Sequence, residues 1–347
     1  MGLAAGHEWT KDRVRHLEQA VEAERQRQQV VGVSVAVSQK GVLRMAAGFG
    51  KADLENDVPA RKETMYRLAS ISKPITAIAA LQLAERGKLD LDAPVQTYVP
   101  SFGQKQWPVT LRDLLGHLGG VRHYQGAELD STVHYLDVTT PLRVFAGDPL
   151  LHAPRSKYLY TTYGFNLIGA AVEAAARMPF LNYIRENIFK PAGMTAIRAD
   201  DHQEIIPNRS RGYARTKLGR IVNCGLADTS NKIPGGGLTS TVFDLISLAN
   251  AYETGVLLSK KTMLRMQEEQ RTSGGKGTRY GLGWNVGPVA GRPAISHGGS
   301  QQGTRTLLVM YPSLQTTIVI MANSDHAVVN DFASAILKAL DTPSSAW

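Results

Sequence analysis

Strand signals sit at the two ends of this chain, and a long stretch of helix signals separates them. Val31 to Ser38 and Val42 to Gly50 read as strands joined by the tight turn Gln39-Lys40-Gly41. Comparable apolar runs return at Tyr280 to Val286, Pro293 to His297, Thr304 to Tyr311 and Thr316 to Met321. Tyr311-Pro312-Ser313 to Gln315 supplies the turn between the last two. Between Ser101 and Pro191 little reads as strand; Leu111–Leu118, Val138–Phe145, Phe165–Ala176 and Phe180–Ile188 read as helices. Further helices are expected at Glu8–Gln29, Ser240–Ala251, Lys260–Gln270 and Val328–Leu340. The economical fold is α+β: one antiparallel sheet built from both ends, flanked by the terminal helices, with a mostly helical region inserted. The expected division is 1–85 with 230–347 for the sheet part and 86–229 for the insert, with the active site at the seam.

One helix leaves the sheet part at that seam. Tyr66-Arg67-Leu68-Ala69-Ser70-Ile71-Ser72-Lys73-Pro74 opens a helical run to about Arg86, with Pro74 in its first turn. Ser70 and Lys73, three residues apart, share a face of that helix. A serine hydroxyl needs a base beside it to become a nucleophile, and a lysine serves once burial lowers its pKa. The structural alternative is a plain N-cap serine. Ser273-Gly274-Gly275-Lys276 has the same spacing, but its glycine-rich loop cannot hold the geometry.

Two distant segments can complete the chemistry. Tyr160-Thr161-Thr162 offers a phenol able to relay a proton from serine to leaving group, unless Tyr160 is only a packed aromatic. Ser296-His297-Gly298-Gly299-Ser300 ends one strand, and its glycines let a substrate approach the backbone. An N–H near Ser300 can pair with that of Ser70 as an oxyanion hole. The alternative for this stretch is a glycine-rich turn with a surface histidine.

In order and separation, Ser70-x-x-Lys73, Tyr160-Thr161-Thr162 and His297-Gly298-Gly299 resemble the motifs of the penicillin-recognising serine hydrolases. The likeness is to the branch of class C β-lactamases, family VIII carboxylesterases and D-alanyl-D-alanine peptidases. Within it, Ala69-Ser70-Ile71-Ser72-Lys73, Leu89-Asp90-Leu91-Asp92, Val121-Arg122-His123-Tyr124 and Leu159-Tyr160-Thr161-Thr162-Tyr163-Gly164 resemble the mitochondrial β-lactamase-like serine proteases and their bacterial relatives. The resemblance spans about 15–340. It implies an acylated Ser70, acid/base work shared between Lys73 and Tyr160, and substrate contacts from Thr162, His297, Gly298 and Gly299. Which of Lys73 and Tyr160 takes the first proton stays open. Two departures stand out: Thr162 replaces the usual Asn, and His297 replaces the usual Lys that meets a β-lactam carboxylate. The expected activity is therefore hydrolysis of carboxylic esters, amides or peptides through an acyl-serine, with weak or no β-lactamase activity. A catalytically silent binding or filament-forming scaffold is the competing reading.

Composition narrows the remaining classes. The 43% hydrophobic and 20% charged content is that of a globular protein. The net charge of +9 comes without a Lys/Arg block or a basic stripe interleaved with aromatics, so no nucleic-acid partner is expected. Cys224 stands alone, which leaves no intrachain disulfide. No metal-binding His-Glu-x-x-His, paired Cys-x-x-Cys or EF-hand loop occurs, so no metal or other cofactor is expected. No Gly-x-Ser-x-Gly elbow points to an α/β-hydrolase. No apolar run reaches membrane-spanning length. A homo-oligomer is compatible with the resemblance. The compartment is open: cytoplasmic if the chain is complete, periplasmic or secreted if a leader was trimmed.

Overall fold

The structure is a computed structural model that describes residues 9–342. The start of the first expected helix, at Glu8, lies outside the described residues. Helix α1 (Lys11–Gln28) is capped by Thr10, whose hydroxyl accepts the Arg13 N–H. Strands β1 (Gly32–Gln39) and β2 (Val42–Asp53) follow, then β3 (Val58–Pro59) and β4 (Tyr66–Arg67). Lys40 and Gly41 both take positive φ, the two-residue turn whose twist suits a hairpin. Helix α2 (Ser72–Glu85) leads into α3 (Leu111–Leu115), α4 (Thr162–Ala176) and α5 (Phe180–Ile184), with no strand described between them. Val138–Phe145 shortens to a 3₁₀ turn, Thr140–Val144, with Pro141 at its start.

Three short strands come next: β5 (Arg198–Ala199), β6 (Tyr213–Arg215) and β7 (Ile221–Asn223). The chain then forms α6 (Ile233–Gly236), β8 (Leu238–Ser240), α7 (Val242–Glu253) and α8 (Lys260–Gln267). It closes with β9 (Asn285–Val289), β10 (Arg292–Gln301), β11 (Thr304–Tyr311), β12 (Thr316–Ala322) and α9 (Val329–Asp341).

The main sheet has the order β3-β2-β1-β12-β11-β10-β9. Its two sequence halves meet where β1 pairs antiparallel with β12, Val33 opposite Ala322 and Gln39 opposite Thr316. Both faces of its centre are buried, so the central strands read as continuous apolar runs. On one face Val33, Val35, Val37, Ile318 and Ile320 pack with Leu17 and Val21 of α1 and Phe332 and Ile336 of α9. On the other, Ala36, Leu308, Val319 and Met321 join a cluster that runs through Ile75 and Ile78 of α2 into Phe165 and Ile168 of α4.

Two of the strand boundaries that differ from expectation matter to the site. Tyr280–Trp284 is irregular, and β9 starts only at Asn285, because Gly283 turns at φ 93° against Ala77. Conversely, β10 does not stop at His297: it continues through Gly298 and Gly299 to Gln301.

The core makes a direct stability prediction. Ile320 is fully buried between the two layers. Ile320→Ala should cost about 2–5 kcal/mol in urea unfolding. Leu264→Ala, at a half-exposed position of α8, should stay within about 0.5 kcal/mol.

Candidate active site

The chain reaches Ser70 through a strained turn. Residues Ala69–Ile71 form a 3₁₀ turn between β4 and α2, and Ala69 sits at φ 49°, the left-handed region. Hydrogen bonds from β11 and β8 hold it there. Thr306 Oγ1 donates to the Leu68 carbonyl at 2.9 Å, Thr304 Oγ1 shares its proton between the Arg67 carbonyl at 3.2 Å and the Ala322 carbonyl at 3.1 Å, and Leu68 N–H donates to the Leu238 carbonyl. Gly299 of β10 presses on the same turn, and a Cβ there would overlap Thr306 Oγ1 and the Leu68 carbonyl. The Gly298 position is open, with nothing nearer than 3.6 Å.

Lys73 follows in the first turn of α2, fully buried. Its Nζ lies 2.9 Å from Ser70 Oγ, 3.2 Å from Thr162 Oγ1 and 2.7 Å from the Gly235 carbonyl. No carboxylate is among these partners. Burial, reinforced by the charge of Lys232, pushes its pKa well below the ordinary lysine value. A neutral amine has two N–H donors and one lone pair. In that form it can satisfy all three oxygens, donating to Gly235 and Thr162 and accepting from the Ser70 hydroxyl.

Tyr160 arrives from the loop before α4. Burial raises the pKa of its phenol beyond the usual tyrosine range, an effect that the neighbouring Ser70 side chain partly offsets. Lys73 Nζ stands 4.8 Å from the ring centroid. Two histidines place this segment. His117 Nδ1 accepts the Thr161 N–H at 3.2 Å, and His123 Nδ1 accepts the Thr162 N–H at 3.3 Å. They cap the start of α4, where free N–H groups need acceptors. Burial lowers the pKa of both, His123 to about 4, so both rings are neutral acceptors. The His117 ring also packs on Tyr160, with centroids 4.3 Å apart.

The opposite wall is β10. His297 does not lie on the cleft surface; it is 2% exposed and faces Tyr280. Its Nδ1 is 2.7 Å from the Gly298 carbonyl, which can only accept. That leaves Nε2 to accept from the Tyr280 hydroxyl at 2.9 Å. Burial first, then Lys73, takes its pKa down to about 3. Ser296, Gly298, Gly299 and Ser300 line the cleft instead.

The cleft measures about 690 Å³ and is bordered by Ser70, Tyr160, Thr162 and the β10 wall. His123, Tyr124, Gly235, Gly236 and Gln301 also border it. In the sequence His123 and Tyr124 stand out only within the stretch that carries the likeness, and His117 and Tyr280 do not stand out at all. Their sole signal was histidine beside glycine or aromatic residues in loops, a pattern without defined spacing.

This fold, with a serine in the 3₁₀ turn that leads from the sheet part into α2 and a buried lysine three residues on in the first turn of that helix, defines a serine hydrolase of the Ser-x-x-Lys class. A model of the family described as Beta-lactamase matches residues 17–341, and the chain belongs to that family. It is 30% identical to the serine beta-lactamase-like protein LACTB, mitochondrial, of Homo sapiens, over 81% of this chain and 69% of that protein. It also resembles the octameric penicillin-binding protein homologue from Pyrococcus abyssi, at TM-score 0.79 and 26% identity, covering 94% of this chain and 77% of the other. D-amino acid amidase from Ochrobactrum anthropi SV3, complexed with D-phenylalanine, superposes at TM-score 0.82 and 21% identity, over 95% and 99% of the two chains.

The close approach at Gly299 yields a test. Gly299→Ala should displace the Ser70 turn and lower ester hydrolysis by about 100-fold, as a misplacement near 1 Å does. Gly298→Ala, with room for its methyl group, should stay within about tenfold. Initial rates on p-nitrophenyl butyrate distinguish the two.

Proposed function

We propose that this serine hydrolase cleaves small carboxylic esters or amides, peptides among them, through an acyl-Ser70 intermediate. The observation that carries the reading is the carboxylate-free burial of Lys73 within 2.9 Å of Ser70 Oγ. In this mechanism the neutral Lys73 amine takes the Ser70 proton as Oγ attacks the substrate carbonyl. The resulting oxyanion is held by the N–H groups of Ser70 and Ser300. Tyr160, protonated at neutral pH, passes a proton to the leaving alkoxide or amine and is reprotonated from the Lys73 ammonium. Water then enters, the same groups deprotonate it, and the acid leaves as Ser70 Oγ is restored. Gly298 and Gly299 flank the acyl group, and Thr162 keeps the amine in place.

Two features argue for slow β-lactam turnover. His297 is neutral and faces away from the cleft, so it supplies no charge for a β-lactam carboxylate. Thr162 lacks the amide that would hold both amine and substrate. The cations that border the cleft are Arg279 and Arg305, and the Arg305 guanidinium is engaged by the Gln301 and Thr304 carbonyls. Self-association draws its support from the Pyrococcus abyssi relative, whose structure is of an octamer. Among the described residues no helix is long and apolar enough to cross a membrane.

Two experiments test the mechanism. Ser70→Ala should abolish p-nitrophenyl butyrate turnover and labelling by a fluorophosphonate, while the wild-type protein hydrolyses the ester faster than nitrocefin. Turnover retained by Ser70→Ala would rule out the acyl-serine. The second is the pH profile. Because the Lys73 pKa is lowered, the reactive amine is the form present above that pKa. kcat/KM should therefore fall as pH drops through it and reach its plateau well below 10.5. Lys73→Arg, which cannot deprotonate, should lose at least about 10³-fold at every pH.

A further inference from the structure

A second cluster of chemistry lies away from Ser70, among loops that the proposed reaction does not use. His134, His202 and Asp228 come from three separate segments, yet one ligand atom of each lies within 4.8 Å of the other two. His134 Nδ1 is 2.8 Å and His202 Nδ1 2.6 Å from the same oxygen, Asp228 Oδ2. The two rings stand nearly perpendicular, with centroids 5.2 Å apart.

The carboxylate is the fixed member. Its side chain is 4% exposed, and Oδ1 accepts the Ser230 N–H at 2.7 Å. Ser230 Oγ in turn accepts the Tyr135 N–H, one residue past His134. The Asp228 N–H donates to the Ser131 carbonyl, which ties the same two loops again. Such outer hydrogen bonds orient metal ligands. The His202 side chain is half exposed and free to adjust. His202 and Asp228 also border a separate cavity of about 540 Å³, which gives an ion an approach and a fourth position.

We propose that His134 Nδ1, His202 Nδ1 and Asp228 Oδ2 bind one divalent transition-metal ion, with Zn²⁺ the fitting probe. Two imidazoles and a carboxylate match tetrahedral zinc with one position left for water. They suit neither Mg²⁺ nor Ca²⁺, which take oxygen ligands. On binding, each imidazole carries its proton on Nε2, and Asp228 stays ionised. With metal–ligand bonds near 2.0–2.1 Å, tetrahedral ligand atoms stand about 3.3 Å apart. The two imidazole–carboxylate contacts need open by only about 0.5–0.7 Å.

The ion would clamp loops that reach the active-site cleft. Leu129 lines that cleft, and its carbonyl accepts from Lys232 Nζ at 3.0 Å and Gln302 Nε2 at 3.1 Å. Lys232 belongs to the Asp228 segment and Leu129 to the segment preceding His134. No sequence motif announces this set, because the three ligands share neither helix nor strand.

The test is titration of tag-free, chelator-stripped full-length protein with Zn²⁺ by calorimetry, alongside thermal melts. One equivalent should bind with Kd at or below about 10 µM, and excess Zn²⁺ should raise the melting midpoint by about 5 °C. His202→Ala should weaken binding at least about 100-fold while ester hydrolysis, reporting the fold, stays within about twofold. His134→Ala should weaken binding as strongly, and Mg²⁺ should not bind. Ser70→Ala should bind Zn²⁺ like the wild type, so failure of the acyl-serine mechanism and failure of this site are separable. No binding near one equivalent, or binding that His202→Ala leaves intact, overturns the proposal.

Discussion

A lysine buried without a counter-ion is the constraint around which this structure is arranged. Enclosing an ammonium without a carboxylate is costly, and the group relieves the cost by losing its proton. Lys73 meets that condition with three oxygens and no acid. Every residue of α2 from Ser72 to Leu83 is buried, so the amine cannot swing out to water. Gly235 must lack a side chain, because a Cβ there would overlap the methyl group of Thr162. Thr76 Oγ1, one turn on, bonds the Pro234 carbonyl at 2.7 Å and holds that backbone against α2. The helix, the Gly235 backbone and the start of α4 are thus mutually dependent through one nitrogen.

The serine beside it depends on strain held elsewhere. A left-handed alanine costs roughly 1–3 kcal/mol and persists only where its surroundings over-determine it. At Ala69 they do: two threonines of β11 and the Leu238 carbonyl engage the preceding backbone, and Gly299 closes over it. The long antiparallel sheet is therefore the anvil for the turn. Pairing of β1 with β12 joins the chain ends, and β11 beside β12 carries the threonines that grip Arg67 and Leu68.

The parts of this arrangement that repeat were legible in the sequence. Strand runs at both ends and the hairpin Lys40-Gly41 announced the sheet. The spacing of Ser70 and Lys73 announced the start of α2 as the place for the chemistry, and the start of α3 at Leu111 was equally plain; in the structure Thr110 and Asp113 form a capping box there. What stayed hidden is contact between distant loops. His117 and His123 look like ordinary loop residues until α4 needs acceptors for its first N–H groups. His297 reads as an end-of-strand residue, but β10 runs on through two glycines and alternation turns the ring toward Tyr280. The cluster of His134, His202 and Asp228 has no local pattern at all.

The electrostatics of the cleft follow from these placements and constrain the order of proton movements. His117, His123 and His297 are all held neutral by burial, and Tyr160 is held protonated. A phenol in that state is a poor first base but a good relay. Of the two groups beside Ser70, the amine is the one whose protonated form burial disfavours. In the proposed mechanism Lys73 becomes positive, on taking the Ser70 proton, at the moment the substrate oxygen becomes negative. In a low-dielectric pocket those two charges attract strongly, and the attraction exists only after attack. The pocket therefore stabilises the tetrahedral state more than the bound substrate. Uncharged esters and amides, the substrates proposed, would need no fixed charge to use that stabilisation.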